Sequence, residues 1–323
     1  MKNLKLEVLT KTEMDQIHAA TLQVLKNTGL MINHESSRKL CKDAGCEVDE
    51  KTKVVKFPPE LVESCLKKCP PHLNLYSRNG KKDVEMVSDG SIINYTTFGI
   101  GVKTTSYVGP GKMETKASTL KSLGEIAKVV DACNNVDEIC APVTALDYAI
   151  GDKCRTIREI DAVVANTVKP FWPDTEYQYM DLYYEYEIAV YGGDENEAIK
   201  KPFMMPCGCP SSPLQIDRAA CEIYTRSADY SMPVMVLSMA MGAASAPIFL
   251  AGTLVTHNAE VLGGIVLAQL AHQGCEVVYG SSTTSFDFFC DSAPVGSPEL
   301  ALISAAVAQL SHYYHIPSTV AGS

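Results

Sequence analysis

The chain has a single tryptophan, Trp172, and after Arg226 it has no lysine or arginine through to Ser323. That stretch keeps its acids, Asp229, Glu260, Glu276, Asp287, Asp291 and Glu299. Such a segment is buried, covered by a partner, or lines a cavity of negative potential suited to a cationic ligand. No run of basic residues exceeds a local pair and the net charge is −10, which excludes the electrostatic footprint of a nucleic-acid or anionic-membrane binder. Residues 1–7 lack a signal-peptide pattern, so the 12 cysteines point to reduced thiols in a cytoplasm rather than to a disulfide framework. None is spaced as CxxC: Cys41/Cys46, Cys65/Cys69 and Cys207/Cys209 fit neither zinc-ribbon nor thioredoxin patterns. No GxGxxG follows an apolar run. Gly99-Ile100-Gly101 lacks the third glycine and Gly109-Pro110-Gly111-Lys112 lacks Walker spacing, so a dinucleotide-binding sheet is the weaker alternative. The uncharged run 230–259 is broken by Ser238, Gly242, Ser245 and Pro247, which makes it strand, loop and helix rather than a membrane span.

What is present is enough for a large core: 323 residues, 46% of them apolar. Residues 1–115 read as a small α+β cap. Thr10 and Glu13 form a capping box for a helix with Met14, Ile17, Val24 and Leu25 on one face, ending near Gly29. A second helix starts at Pro58-Pro59, and Asn79-Gly80 and Asp89-Gly90 are hairpin signals. Residues 116–323 alternate long helices with short apolar strands, the pattern of parallel βα units. Strands are expected at 138–143, 170–173, 203–208, 234–239, 276–280 and 316–320, preceded by 92–98. Helices are expected at 119–132, 153–167, 176–191, 216–227, 248–272 and 298–314. The fold class is therefore α/β, a TIM (β/α)8 barrel that is incomplete in this chain because such a barrel needs eight units. The last strand ends at Gly322-Ser323, at the tip where such barrels place their chemistry.

Barrel active sites are built from the C-terminal ends of strands. Those positions here are aromatic, hydroxylic and acidic: Tyr95 to Phe98, Trp172 and Asp174, Cys207, Cys209, Ser211 and Ser212, Ser238, and 281–289 with Phe286 and Asp287. Aromatic faces with one or two carboxylates suit an alkylammonium ion, each ring contributing ~0.5–2 kcal/mol. The same residues also serve as barrel-top packing, and Asp287 and Asp291 serve equally well as loop caps or solvated acids. Cys207 and Cys209 are read as inert thiols. His312 and His315, at i, i+3 spacing, end a helix at the opposite face and are read as partners of its C-terminal dipole. The apolar helix carrying Gly263-Gly264 has little polar face, which suggests a homo-oligomer.

Asn27-Thr28-Gly29, 57–62 (Phe-Pro-Pro-Glu-Leu-Val), 95–99 (Tyr-Thr-Thr-Phe-Gly), Ser212-Pro213-Leu214 and 315–318 (His-Ile-Pro-Ser) occur in an order and spacing that resembles the trimethylamine methyltransferase family over essentially the whole chain. The resemblance implies a TIM barrel that moves a methyl group from trimethylamine to the Co(I) of a separate corrinoid protein, giving dimethylamine and methyl-Co(III). No cofactor is bound directly on this reading, since the corrinoid (cobalamin) is carried by the partner. Because dimethylamide is too basic to leave, the nitrogen must be protonated, quaternary or bound to an electrophile first. Asp287 or Asp291 would hold the ammonium proton as catalytic acids, with Tyr95, Phe98, Trp172, Phe286 and Ser212 forming the substrate cage. No metal site is expected. The partner would dock over the strand-end loops, including 283–297. Trimethylamine-specific members carry pyrrolysine, encoded by an in-frame amber codon, just after this Val-Ala-Gly stretch. Position 324 is thus expected to be UAG; reading that codon checks the expectation, and a sense codon contradicts it. The alternatives are a pyrrolysine-free glycine betaine or quaternary-amine methyltransferase and a non-catalytic truncated barrel.

Overall fold

In the computed structural model, which describes residues 6–148 and 154–322, the chain folds around seven extended segments lying side by side. All are parallel and all follow chain order. Thr96 bridges Glu138, Ile139–Cys140 pairs with Phe171–Trp172, and Phe171 bridges Met204. From there Cys207–Gly208, Val234–Ser238, Val277–Ser281 and Ser318–Val320 form one four-stranded sheet. Each crossover carries helix: Leu120–Ala132, Arg155–Val164, Met180–Val190 with Glu195–Lys200, Arg218–Arg226, Leu250–Ala271 and Pro298–Tyr314. Parallel strands covered on both faces read as continuous apolar runs. Val234–Ser238 and Val277–Ser281 are buried at every position. Val234, Val236, Val277 and Tyr279 face the helices, whereas Met235, Leu237 and Val278 face a separate cluster with Leu73, Leu75, Val84 and Met86. Those last four come from the antiparallel pair His72–Leu75 and Val84–Val87, which packs into the concave side of the arc. The arc's end segments are not joined to each other among the described residues, so the architecture seen is a mixed α/β fold with a sequential parallel arc.

The helix Leu250–Ala271 occupies the centre of the packing on the convex side. It is long and apolar enough to cross a membrane, yet most of it is buried by the same chain. Around it lie Lys11–Gln23, Glu35–Asp43, Pro59–Leu66, Arg218–Arg226 and Pro298–Tyr314. The helix is apolar all round because its own chain covers most of it, so its composition does not by itself call for a second copy. Gly263 and Gly264 make the close approach possible. A Cβ on Gly263 would stand 2.1 Å from Leu30 Cδ1, and one on Gly264 2.6 Å from Val236 Cγ1. Gly264→Ala is therefore expected to destabilise the fold by about 1–2 kcal/mol, since overpacking outweighs the gain in helix propensity. A urea midpoint that falls with unchanged m-value would show it, and a midpoint at or above wild type would contradict it.

The N-terminal part begins as its caps dictate. Thr10 N–H donates to Glu13 Oε2 (2.7 Å) and Glu13 N–H donates to Thr10 Oγ1 (3.3 Å). The helix runs on through a π turn, Val24–Thr28, and stops at Gly29, whose φ of 78° only glycine adopts freely. Leu30–Ile32 then pairs antiparallel with Val54–Lys56 and parallel with Gln215–Ile216. The sheet thus crosses the expected boundary at 115/116.

Several expectations shift in detail. Pro298–Tyr314 forms as expected, the strand expected at 276–280 is shifted by one to Val277–Ser281, and the other helices and strands begin or end one to a few residues inside the predicted ranges. Lys153, the expected start of one helix, lies outside the described residues, as do residues 1–5 and Ser323. Residues 92–98 form no strand; only the Thr96 bridge marks their place in the arc. Asn79-Gly80 lies in the long connection between His72–Leu75 and Val84–Val87 rather than in a two-residue turn. Asp89-Gly90 is an Asx turn closed by Ser91 N–H and Oγ. Gly109-Pro110-Gly111, excluded as a phosphate loop, turns an exposed antiparallel ribbon, Lys103–Gly109 with Lys112–Ala117, that the sequence reading left out. Glu35–Asp43 and Glu195–Lys200 were likewise not anticipated. The expected helix near residue 216 starts at Arg218 because Asp217 caps it by accepting from Ala220 N–H.

Candidate functional site

Side chains paired across parallel strands share a face, and so do residues two apart on one strand. The pairs Thr96/Glu138 and Cys140/Trp172 therefore stand together on the concave side of the arc, with Glu138 and Cys140 two apart on the same segment. Thr97 locks the first two segments together, its Oγ1 donating to Cys140 O (2.7 Å) and accepting from Cys140 N–H (3.0 Å). Glu138 is 3% and Trp172 7% exposed. Glu138 Oε2, Trp172 Nε1 and Thr96 Oγ1 are buried without a hydrogen-bond partner. Burial, with Asp137 adding repulsion, pushes the Glu138 carboxyl up to about 8. Asp174, just past Trp172, is also raised by burial, against the pull of Arg155. That arginine is itself bonded to Glu176 (2.9 Å).

Three thiols complete the face. Burial, helped by Glu138, Asp174 and Cys209, pushes Cys140 up to about 12. The Cys207 thiol donates to Cys209, which holds Cys209 low while Cys207 is pushed well above the ordinary thiol range. Two carboxylic acids, three thiols and an indole thus meet at one face. Among the described residues no group of three or more His, Cys, Asp and Glu side chains could hold a metal ion.

Behind the strand tips a second polar cluster fixes the loop after Cys209. Glu260, fully buried on the helix Leu250–Ala271, accepts from Ser212 Oγ (2.7 Å), Ser238 Oγ (2.6 Å) and Leu214 N–H (2.8 Å). Burial raises its carboxyl and these bonds oppose the rise. One turn earlier His257, also fully buried, bonds Thr283 Oγ1 through Nδ1 (2.9 Å) and leaves Nε2 unpartnered. With no charge beside it, desolvation lowers this imidazole to about 3, so it is neutral.

The residues singled out from sequence are spread around this centre. Trp172 lies in it. Phe98, 56% exposed, follows two residues after Thr96. Tyr95 lines a separate 520 Å³ cleft with Ile93, Asn134, Asn135 and Asp137. Ser212 is engaged by Glu260. Phe286 packs edge-on against Phe288 at 5.1 Å. Asp287 Oδ1 accepts from Phe289 N–H (2.8 Å) and Cys290 N–H (3.2 Å), so it caps a turn, and those bonds lower its carboxyl. Asp291 is exposed with φ 49°. His312 lies in the last turn of its helix against Gly90, and His315 takes the left-handed cap position. Sequence reading missed Glu138, Glu260 and His257. Glu138 opens an expected strand, but its face is set by the pairings with neighbouring segments, whereas Glu260 and His257 sit on a helix whose covering only the fold reveals.

A family model for trimethylamine methyltransferase (MTTB) matches residues 2–323. Trimethylamine methyltransferase MttB2 of Methanosarcina mazei is 45% identical over 324 residues, covering 100% of this chain and 65% of its own length. MttB of Methanosarcina barkeri is 46% identical with the same coverage. The glycine betaine methyltransferase of Desulfitobacterium hafniense is 29% identical over 320 residues, covering 98% of this chain and 64% of its own length. The chain thus spans a little under two thirds of the length of these relatives. Among solved structures, the monomethylamine methyltransferase MtmB of Methanosarcina barkeri superposes with a TM-score of 0.56 at 13% identity, covering 95% of this chain and 66% of that one.

Proposed function

The chain belongs to the trimethylamine methyltransferase family, and from that premise we propose that the protein transfers a methyl group from trimethylamine to a corrinoid carried by a partner protein in the cytoplasm. The observation that carries this reading is the acidic, aromatic concave face. Glu138, Asp174 and Trp172 are gathered there with three thiols, and the one cation bearing on them, Arg155 beside Asp174, is paired with Glu176. Such a face lowers the free energy of an alkylammonium ion relative to water through ring quadrupole and carboxyl charge. Identity of 45–46% to trimethylamine enzymes against 29% to the glycine betaine enzyme supports trimethylamine as the substrate. The sequential order of the parallel segments, without the reversal of a doubly wound sheet, supports a barrel as the complete architecture.

The chemistry assigned to this chain is positioning and charge control. When the C–N bond breaks, its electron pair stays on nitrogen, so nitrogen must carry a proton or an equivalent electrophile, and an acidic, water-poor face keeps that proton in place. The partner's corrinoid supplies the reduced cobalt that accepts the methyl group. Phe98, Met239, Phe288 and Phe289, exposed near the strand ends, support docking of the partner over these loops. Asp287 and Asp291, on the same rim loop, would draw the cation toward the mouth, with Tyr95, Phe286 and Ser212 shaping the approach. Trp172→Leu in the native protein is expected to raise KM for trimethylamine about three- to thirty-fold by removing a cation–π contact. An unchanged KM and kcat would remove Trp172 from the substrate cage.

A further inference from the structure

Among the described residues seven buried side-chain polar atoms lack a partner, and three of them, Thr96 Oγ1, Glu138 Oε2 and Trp172 Nε1, stand on one face of three adjacent segments. Buried polar groups are ordinarily hydrogen-bonded, so a cluster of exceptions on one face marks a place where something else supplies the bonds. Glu187, the other carboxyl among the seven, is different. Its Oε1 accepts from Phe203 N–H (3.1 Å) and Met204 N–H (2.9 Å), which makes it a brace between helix and strand. No such backbone pair explains Glu138.

We propose that Glu138 is the group that distinguishes a tertiary from a quaternary amine, accepting the N–H of trimethylammonium at Oε2 while Trp172 covers the methyl groups. The inference rests on the functional reading given above and adds to it the residue that reads the nitrogen. A tertiary ammonium carries one N–H, and Glu138 Oε2 is the carboxyl oxygen of this face that is buried without a partner to compete for that proton. A quaternary ammonium has no N–H and leaves the acceptor unsatisfied. Sites built to bond a polar hydrogen reject analogues lacking it far more strongly than apolar pockets reject a methyl group. The titratable groups around Glu138 are Asp137 and Cys140 on its own segment and, across Cys140, Asp174 and Cys209 from neighbouring segments. None is a cation, so the substrate's charge is the one that ionises Glu138. Whether the amine arrives protonated or takes the proton from the carboxyl, the bound state is the same ammonium–carboxylate pair.

The test is calorimetric titration of the native protein with trimethylammonium chloride and with tetramethylammonium chloride. Wild type is expected to bind trimethylammonium at least about ten-fold more tightly, and Glu138→Gln to bring the ratio close to one by weakening trimethylammonium more than tetramethylammonium, which loses the charge attraction but no N–H bond. The wild-type ratio stands as a test even where the variant does not fold. Equal wild-type affinities, or a Glu138→Gln variant that keeps the preference, overturn the assignment while methyl transfer from trimethylamine continues. Failure of wild type to transfer methyl groups from any methylated amine overturns the functional reading instead.

Discussion

Glu260→Ala is expected to lower the unfolding free energy by about 3 kcal/mol, because it strands one buried donor, Ser238 Oγ–H, and two half-buried ones at once, and a buried donor left unsatisfied costs ~1–3 kcal/mol. The donors are Ser212 Oγ–H, Ser238 Oγ–H and Leu214 N–H, and they come from two adjacent strand ends. The sum is held below the arithmetic maximum because the two hydroxyls can rotate toward other acceptors and because removing a buried carboxyl relieves its own desolvation. Leu214 has no such freedom: its N–H is fixed and its φ is 57°. Glu260→Gln should cost less than about 1.5 kcal/mol, since the amide oxygen still takes Leu214 N–H and the amide nitrogen can donate to the serine oxygens. Denaturant midpoints of the three proteins decide the matter. An alanine variant within about 1 kcal/mol of wild type would mean that the cluster does not brace the strand ends.

Stability is expected to peak in acidic solution, near the pH at which carboxyls of the unfolded chain titrate, and to fall on both sides. Glu138 and Glu187 keep their protons up to about pH 8 in the folded chain, because burial disfavours the charged carboxylate, whereas such a carboxyl ordinarily titrates near 4.5. Between those values the unfolded chain holds fewer protons than the folded one, so stability falls as pH rises through the window. Glu159, Asp174, Glu260 and Glu276 are raised in the same direction and add to that limb. His257 works on the other side. It stays neutral down to about 3 when folded but ordinarily protonates near 6.5, so its own contribution is lost as pH falls below 6.5; the carboxyls outweigh it until they are protonated in the unfolded chain as well, and the acid limb lies below that point. Each unit of displacement is worth ~1.4 kcal/mol per group, which makes the alkaline limb several kcal/mol deep. A melting temperature that rises from pH 6.5 to 8.5 would contradict the account. Glu187→Gln should flatten the alkaline limb without touching the acid one.

The sequence carried the alternation of strands and helices because a strand buried on both faces needs an unbroken apolar run and a crossover helix needs a stripe; 234–239 and 298–314 were legible for that reason. Trp172 was legible as a site residue because strand-end position alone selects it. Glu138 was passed over because the apolar run that follows it suggested a strand and hid which face each residue would take; that depends on the pairings with Thr96 and Phe171. Periodicity cannot tell a helix covered by a second copy from one wrapped by its own chain, and most of the central helix is covered by helices from both ends of this one. Asp287 and Asp291 were attractive as unpaired acids in a segment without bases, yet Asp287 is occupied by two backbone N–H groups of its own loop. The exposed ribbon 103–117 escaped notice because its short central glycine-proline turn was weighed only as a phosphate-binding motif.

The most direct test of the central claim is methyl transfer by the native protein to a reduced corrinoid protein, followed by the visible absorbance change on methylation, with trimethylamine and glycine betaine offered separately. The account predicts methylation with trimethylamine and none with glycine betaine; methylation from glycine betaine alone, or from neither amine, would contradict it.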